Sequence, residues 1–278
     1  MKKNFSLILI SCLILTLFLA AGCGQEQSQG PAPDKDNNKA AADKLMVGAI
    51  GEPHTAMLKM VKPKLAEQGV DMVIKEFTEY SQLNPALKDG QIDANFFQHI
   101  PYLEDYNTET GSDLTWTVKI HTEPMRIYSK KLDNLDKLPD KAQVGIPNDP
   151  SNSGRALMVL QSAGLIKLKE GAGVTATQQD ILENPKELKI SMADAATLPR
   201  LLEDADICCI NTNYALDAGL DPMKALFVEP GDSPFANILV VRPEDKDDPR
   251  IEKLGKALQS EEIAKFLQDN YPACVLAF

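Results

Sequence analysis

The sequence predicts an α/β fold arranged in two lobes. Segments typical of strands alternate with segments of helical period over roughly 230 residues. That length exceeds what one small domain needs. The composition, 44% hydrophobic and 25% charged, supplies apolar side chains for two cores and differs from that of a disordered chain.

The alternation begins with a strand that leads into a helix. Lys44–Ile50 is a short apolar run that ends at Gly51, and His54–Gln68 has helical period and is closed by Gly69. Val70–Phe77 alternates apolar and polar side chains, as a half-buried strand does.

The same rhythm continues to the end of the chain. Further strands are predicted near 93–97, 114–121, 143–147, 188–192, 206–210, 226–228 and 237–241. Further helices are predicted before Gly90 and near 101–106, 151–163, 177–183, 197–203, 213–218, 249–259 and 261–270.

The N-terminus is typical of an exported lipoprotein. Lys2 and Lys3 precede an apolar stretch that ends in small residues directly before Cys23. The run Leu-Ala-Ala-Gly-Cys at 19–23 resembles the lipobox of bacterial lipoproteins, which implies a signal peptide at 1–22 and a lipid-modified Cys23. A plain signal peptidase site or an uncleaved anchor are the alternatives. The polar segment 23–43 lacks apolar period and is predicted to be a flexible linker.

Several classes of function are disfavoured by charge and motifs. A net charge of −11 argues against a nucleic-acid partner. The usual signatures of hydrolases and metalloproteases and the Walker-type glycine loop do not occur. Residues 171–176 match G-x-G-x-x-A by letters, but no strand leads into them and no helix pattern follows closely. The three histidines, His54, His99 and His121, are spread along the chain without ligand spacing. We therefore expect no enzyme activity, no cofactor and no metal.

Three cysteines fall in the predicted folded part. Cys208 and Cys209 are adjacent in an apolar run, and neighbours in sequence do not meet ordinary disulfide geometry. They are interpreted as buried small hydrophobes. A bridge from either of them to Cys274 remains an alternative.

A strand rich in aromatic residues runs into a helix near Pro101. Strict alternation sets its side chains on two faces, with Asn95, Phe97 and His99 on one and Phe96 and Gln98 on the other. Together with Tyr80 and Tyr102, the first face can wall an apolar pocket with polar tips. The alternative is a set of ordinary core aromatics, against which the polar Gln98 and His99 argue.

A second candidate for a ligand-binding segment is 146–157, where a strand and a turn rich in capping residues lead into a helix. Free N–H groups at a helix start favour an anion, and Arg155 in the first turns adds a guanidinium that matches a carboxylate. The alternative is a surface arginine paired with Asp149 or another acid.

Five segments of the chain are similar to the NlpA lipoprotein family, the methionine-binding lipoproteins of ABC importers. These segments are DGQIDANFFQHIPYLEDYN at 89–107, EPMRIYS at 123–129, NDPSNSGRALMVLQSAGLIKL at 148–168, INTNYALDAGL at 210–220 and SPFANILVVRPED at 233–245. The resemblance extends in order over essentially the whole chain.

The resemblance implies a two-lobe fold like that of periplasmic binding proteins, with a ligand cleft between the lobes. Lobe I would hold 44–122 plus 228–278 and lobe II 123–227, with hinge crossings near 122–128 and 221–228. The lobes would close on L-methionine and deliver it to the permease and ATPase of an ABC importer. The protein would face the extracytoplasmic side of the cell membrane, anchored in the lipid bilayer through Cys23.

The resemblance also implies a role for each ligand-binding residue. Arg155 would grip the ligand carboxylate, and Asn211 and Asn237 would hold the amino-acid backbone. Asn213 is an alternative to Asn211, and Glu123 is a weaker candidate for the ammonium. The side-chain pocket would be formed by Tyr80, Phe97, His99 and Tyr102. A methionine-containing peptide or D-methionine is an alternative ligand, and adhesion or another interaction at the cell surface is an alternative function.

Overall fold

Two β-sheets, one of six strands and one of five, carry the fold. The computed structural model describes residues 43–231 and 234–278. The predicted signal peptide at 1–22, the lipid-modified Cys23 and the linker up to residue 42 lie outside the described residues.

The strands alternate with helices as the periodicity predicts. The strands are β1 Asp43–Ile50, β2 Val70–Phe77, β3 Ala94–His99, β4 Thr115–Thr122, β5 Arg126–Tyr128, β6 Gln143–Pro147, β7 Lys167–Leu168, β8 Ile181–Glu183, β9 Lys189–Ala193, β10 Ile207–Ile210, β11 Phe227–Val228, β12 Ala236–Val241 and β13 Val275–Leu276. The α-helices are α1 His54–Glu67, α2 Leu83–Lys88, α3 Ile100–Thr110, α4 Pro150–Ser162, α5 Leu198–Leu201, α6 Thr212–Asp217, α7 Pro249–Leu258 and α8 Glu261–Asn270.

The six-stranded sheet has the order β13-β4-β12-β3-β1-β2. Strands β2 and β3 pair in parallel with β1, whereas β12 and β13 enter antiparallel from the C-terminal part of the chain. Helices α1, α7 and α8 bury their apolar residues against one face of this sheet, in a core that includes Leu45, Phe96 and Leu254. The N-terminal and C-terminal parts of the folded chain therefore build one sheet together.

The five-stranded sheet has the order β11-β5-β10-β6-β9 and comes entirely from the middle of the chain. Strands β6, β9 and β10 run in parallel, and β5 is antiparallel to both of its neighbours, β10 and β11. A separate core containing Val144, Leu157 and Ile207 lies on this sheet. Both sheets belong to one compact unit, and the mixed α/β fold confirms the predicted class.

The chain passes between the two sheets twice. It leaves the six-stranded sheet after Thr122 and enters the five-stranded sheet at Arg126. It returns between Val228 and Ala236, which is later in the chain than the predicted crossing at 221–228, because β11 still pairs with β5.

One predicted helix is partly wrong. Residues Gln178–Asp180 form a single 3₁₀ turn, which Thr177 and Asp180 begin with a reciprocal capping box. Beyond the turn, residues 181–183 become the extended strand β8 and pair with β7. The capping signal resembles a helix start, but the segment is too short to continue as one. Strands β5, β7 and β13 were missed because two or three residues carry no readable period.

Helix α4 packs unusually close to the segment that follows it. A Cβ atom at Gly154 would lie 2.2 Å from the carbonyl oxygen of Val174. Only glycine permits this approach, which brings the start of α4, and Arg155 with it, into a fixed position.

Among the described residues, we find no helix with the length and apolar character needed to cross a membrane.

Candidate ligand-binding site

A cavity lies where the carboxyl ends of the parallel strands of both sheets approach each other. Ligands of open α/β sheets commonly bind at such edges. The cavity contains about 330 Å³ of space unfilled by protein atoms, counted out to the open solvent. All seven predicted ligand residues line it: Tyr80, Phe97, His99, Tyr102, Arg155, Asn211 and Asn237. The sequence analysis did not assign a role to four other residues of the lining: His54, Gln98, Asn152 and Thr212.

Three aromatic rings form one wall of the cavity. The ring centroids of Tyr80 and Phe97 are 5.6 Å apart, those of Phe97 and Tyr102 5.7 Å, and those of Tyr80 and Tyr102 5.9 Å. The last two pairs meet edge to face, which is a favourable arrangement of aromatic quadrupoles. The fold thus brings Tyr80, Phe97 and Tyr102 together on one side of the cavity, and their role in binding a ligand stays a prediction.

The strict alternation predicted for β3 is interrupted by a bulge. In the pairing with β12, Ile238 is opposite Gln98 and Leu239 is opposite Phe96, so Phe97 is the extra residue. An extra residue shifts the phase of every side chain that follows it. Gln98 was expected on the face opposite Asn95. Instead, its amide nitrogen donates to the Asn95 side chain at 2.8 Å.

The amides of Asn84, Asn95 and Gln98 form a buried network beside the aromatic wall. Asn95 donates to Asn84 at 2.9 Å, and Asn84 donates to Gln98 at 3.0 Å. Each of the three side chains thereby satisfies polar atoms that burial would otherwise leave unpaired. The network fixes the side chain of Gln98, near the end of β3, at the edge of the cavity.

Arg155 is buried at the polar end of the cavity. The residue is 3% exposed, and its guanidinium lies 4.3 Å from the centroid of the Phe235 ring. The alternative of a surface arginine paired with Asp149 or another acid holds only in part. Arg155 is buried and Asp149 instead caps α4 by accepting the N–H of Asn152 at 2.9 Å, but another acid, Glu229, does pair with Arg155. Arg155 is therefore placed to act inside the cavity.

Glu229 holds the Arg155 guanidinium and was missed by the sequence analysis. Nε of Arg155 donates to Oε1 of Glu229 at 2.9 Å, and Nη2 donates to Oε2 at 2.5 Å. Nη2 also donates to the backbone oxygen of Glu123 at 2.8 Å. Nη1 makes no hydrogen bond to the described residues, so two N–H groups of the guanidinium remain for a ligand.

Hydrogen bonds define the protonation state of His99. Its Nδ1 accepts the backbone N–H of Tyr102 at 3.2 Å, which caps α3, so the ring proton is on Nε2, 3.3 Å from the Asn152 side-chain oxygen. Burial, and then the positive charge of Arg155, lower the pKa of His99 to about 3. His99 is therefore a neutral donor in the cavity at ordinary pH.

Replacement of His99 by glutamine is expected to weaken the pH dependence of stability. Between the usual histidine pKa of 6.5 and about 3, the unfolded chain binds a proton at this residue and the folded chain does not. Stability should therefore fall with decreasing pH, by about 1.4 kcal/mol per pH unit for this one group. Urea unfolding across this interval measures the slope. Equal slopes for His99→Gln and the wild type would contradict a neutral, buried His99.

Two asparagines at the start of α6 present unpaired polar atoms. Asn211 donates from Nδ2 to the side-chain oxygen of Asn152 at 2.8 Å, and its own Oδ1 is buried without a hydrogen-bond partner among residues 43–231 and 234–278. Asn213 accepts the Tyr80 hydroxyl at 2.5 Å, and its Nδ2 is likewise buried and unpartnered. Buried polar atoms of this kind call for a partner. One acceptor and one donor are therefore available to a bound molecule.

The opposite rim of the cavity contains His54, Asn237 and Glu123. The sheet register places Asn237 between His99 on β3 and His121 on β4. Nε2 of His54 lies 3.2 Å from Asn237 Oδ1 and 3.1 Å from Glu123 Oε1. Glu123, the weaker sequence candidate for the ammonium, is 5% exposed and lines the cavity.

Contacts between the two halves of the fold enclose the cavity. On one side, the Tyr214 hydroxyl donates to the backbone oxygen of Thr78 at 3.3 Å. On another, the backbone N–H of Glu52 donates to Asp217 at 3.1 Å. Gly51, with φ of 51°, allows this approach, since a Cβ there would lie 2.0 Å from the Asp217 carboxylate. All lining residues except Tyr80 and Tyr102 are buried, and burial strengthens an electrostatic contact to a ligand.

Comparison with known proteins identifies the family. The family model for NlpA lipoprotein matches residues 45–277. The chain is 43% identical over 257 residues to the D-methionine-binding lipoprotein MetQ of Salmonella typhimurium, covering 91% of this chain and 90% of the relative. A nutrient binding protein from Burkholderia cenocepacia, solved bound to methionine, is 44% identical with a TM-score of 0.81 over 84% of this chain and 100% of that one. A periplasmic substrate-binding protein of an ABC transporter from Coxiella burnetii is 41% identical with a TM-score of 0.80, and the coverage is the same. This chain, with the folded part and the cavity described above, belongs to the NlpA lipoprotein family.

Proposed function

We propose that this protein is the substrate-binding component of an ABC importer and binds L-methionine as a zwitterion in the cavity. The observation that carries the proposal is a buried guanidinium at one end of a cavity whose other wall is aromatic. An amino acid with an apolar, sulfur-containing side chain matches both ends.

The carboxylate of the ligand would bind Arg155. A carboxylate taken out of water costs several kcal/mol unless it is paired and hydrogen-bonded. Nη1 of Arg155 supplies two N–H groups, and the unpartnered Nδ2 of Asn213 supplies another donor. Glu229 neutralises the guanidinium before the ligand binds, so the buried arginine is tolerated in the free protein.

The ammonium of the ligand would bind acceptors on the other side of the cavity. The Oδ1 atom of Asn211 is buried without a partner. The carboxylate of Glu123 and the side chain of Asn237 line the same space. An ammonium has three donors, so these three acceptors match its capacity.

The side chain of methionine would lie against Tyr80, Phe97 and Tyr102. A thioether is polarizable and gains about 0.3 to 1.5 kcal/mol from each contact with an aromatic ring. Three rings with centroids less than 6 Å apart can surround one sulfur atom. A ligand with a charged side chain would lose its hydration here without compensation.

The two halves of the fold would act as lobes that open and close around the ligand. We propose that 44–122 and the C-terminal part form lobe I and that the middle of the chain from 123 forms lobe II, with the two passages between the sheets as the hinge. Val228, which the predicted boundary of 228–278 gives to lobe I, then belongs to lobe II, because it pairs in β11. Hinge closure is a common way to desolvate a ligand from both sides. The hydrogen bonds from Glu52 to Asp217 and from Tyr214 to Thr78 would then belong to the closed form.

We also propose that Cys23 is acylated and anchors the protein in the membrane, facing the extracytoplasmic side. The lipobox-like sequence and the membership of a lipoprotein family support this anchor. The polar linker would let the folded part reach a permease and its ATPase and deliver methionine to them.

Calorimetric titration of the ligand-stripped protein with L-methionine tests the proposal. We expect saturable binding with a dissociation constant of about micromolar or below, which corresponds to roughly 8 kcal/mol or more. L-Norleucine, which replaces the sulfur by a methylene group, should bind more weakly because it loses the sulfur–aromatic contacts. If L-methionine produced neither binding heat nor a shift in melting temperature, the proposed function would be wrong.

D-Methionine is the second candidate ligand. A relative that this chain matches over 90% of its length carries the name D-methionine-binding lipoprotein. A competition series with L-methionine, D-methionine and a methionine-containing dipeptide separates these ligands. We expect L-methionine to displace both of the others. The reverse order would reassign the ligand and keep the fold and the site.

A further inference from the structure

Three potential metal ligands, two from one segment of the chain and one from a distant segment, lie together beside the cavity. His54 begins α1, His121 lies near the end of β4, and Glu123 follows β4. One nitrogen of each ring and one carboxylate oxygen all lie within 4.8 Å of one another, and all three residues are buried. Spacing in the sequence does not indicate this cluster, since only the fold brings His54 to the other two.

The contacts of His54 orient a lone pair toward the carboxylate. Its Nδ1 must carry a proton, because its partner at 3.1 Å is the backbone oxygen of Ile50, which can only accept. Nε2 of the neutral ring then directs a lone pair at Glu123 Oε1, 3.1 Å away. Two lone pairs at this distance repel each other unless a proton or a metal ion lies between them.

The second histidine approaches the same oxygen. Nε2 of His121 lies 2.8 Å from Glu123 Oε1, and the Nδ1 atom of His121 makes no hydrogen bond. The polar contact of the His121 ring is therefore directed at the carboxylate. Two imidazole nitrogens and one carboxylate oxygen are a donor set that suits zinc.

We propose that His54, His121 and Glu123 form a binding site for a divalent transition-metal ion such as Zn²⁺. Zinc bonds of about 2.0 to 2.1 Å place neighbouring ligand atoms roughly 3.3 Å apart. The N···O contacts of 2.8 and 3.1 Å would lengthen slightly to reach this spacing, and the widest separation in the cluster, which is within 4.8 Å, would shorten. The bond from His54 Nδ1 to a backbone carbonyl is the support that metal-binding histidines usually have. The fourth position opens to the cavity, which His54 and Glu123 line.

The metal and methionine would exclude each other. Glu123 is also an acceptor for the ligand ammonium in the proposed function, on which this part of the inference rests. A bound Zn²⁺ would occupy the Glu123 carboxylate and repel the ligand ammonium. Conversely, the ammonium of a bound amino acid would occupy that carboxylate and repel the metal ion. The site would make methionine binding sensitive to zinc.

The first test is titration of the ligand-stripped full chain with Zn²⁺ by calorimetry, and with Co²⁺ by visible absorption, which reports tetrahedral coordination. We expect one metal ion per chain. His121→Gln should weaken binding more than about a hundredfold, since even the loss of a supporting contact costs ten- to a hundredfold. Glu252→Gln, which removes an exposed carboxylate on α7, should leave metal binding unchanged. Equal Zn²⁺ affinity in the wild type and His121→Gln, or no binding to either, would overturn the site.

The second test is competition. Saturating Zn²⁺ should weaken methionine binding at least about tenfold in the wild type and should have no such effect on His121→Gln. Melting curves of the variant confirm that it is folded. If methionine never binds, the proposed function fails while the metal titration still decides the site. Methionine binding that is indifferent to bound Zn²⁺ would overturn the mutual exclusion.

Discussion

Arg155→Ala is expected to abolish most of the affinity for methionine. The guanidinium is buried in the cavity, where its contact to a carboxylate is strong. Removal of one partner from a buried, hydrogen-bonded charge pair costs about 2 to 5 kcal/mol, which is roughly a thirtyfold to several thousandfold loss in the dissociation constant. Calorimetric titration with L-methionine measures this loss.

A second ligand separates lost recognition from lost folding. L-Methioninamide lacks the carboxylate charge, so Arg155→Ala should weaken its binding much less than that of methionine. Arg200→Ala, which removes an exposed arginine on α5, should bind methionine like the wild type. If Arg155→Ala weakened both ligands equally, the guanidinium would not be the carboxylate partner.

Glu229→Ala is expected to have the largest effect on stability. Glu229 accepts Nε and Nη2 of Arg155 and also the backbone N–H of Met125 at 3.0 Å. Its loss leaves a buried guanidinium without its counter-charge, and broken pairs of this kind cost about 3 to 5 kcal/mol. Urea unfolding of the ligand-free variant measures the change in the free energy of unfolding.

A double variant tests whether the cost comes from the orphaned charge. In Arg155→Met with Glu229→Met, no charge is left unpaired, so the double variant should be more stable than Glu229→Ala although it no longer binds methionine. Glu252→Ala breaks an exposed pair with Lys256 on α7 and should leave stability nearly unchanged. A double variant that is at least as unstable as Glu229→Ala would show that packing, rather than charge, is what Glu229 contributes.

Much of the fold is readable from the sequence because its long elements have clear periods. Helix α1, strand β2 and helices α7 and α8 end within two residues of their predicted ends. The parts that were missed are short. Strand β5 has three residues, and its pairing with β10 and β11 depends on contacts with distant segments, which local periodicity does not contain.

The site was predictable where one segment carries its own chemistry. The aromatic run before Pro101 and the arginine at the start of α4 can each be recognised from one short segment of sequence. Glu229 does not, because it pairs with Arg155 across 74 positions and lies in no motif. The same is true of His54, which meets Asn237 across 183 positions. Partners of this kind become visible only when the two sheets are assembled.

The extra residue at Phe97 makes the chemistry of the pocket depend on strand length as well as on residue identity. A β3 one position shorter, with every remaining amino acid unchanged, would turn the Gln98 amide away from Asn84 and Asn95 and leave both without it. A related chain whose alignment has a gap at this position should therefore not be assigned the same ligand from sequence identity alone.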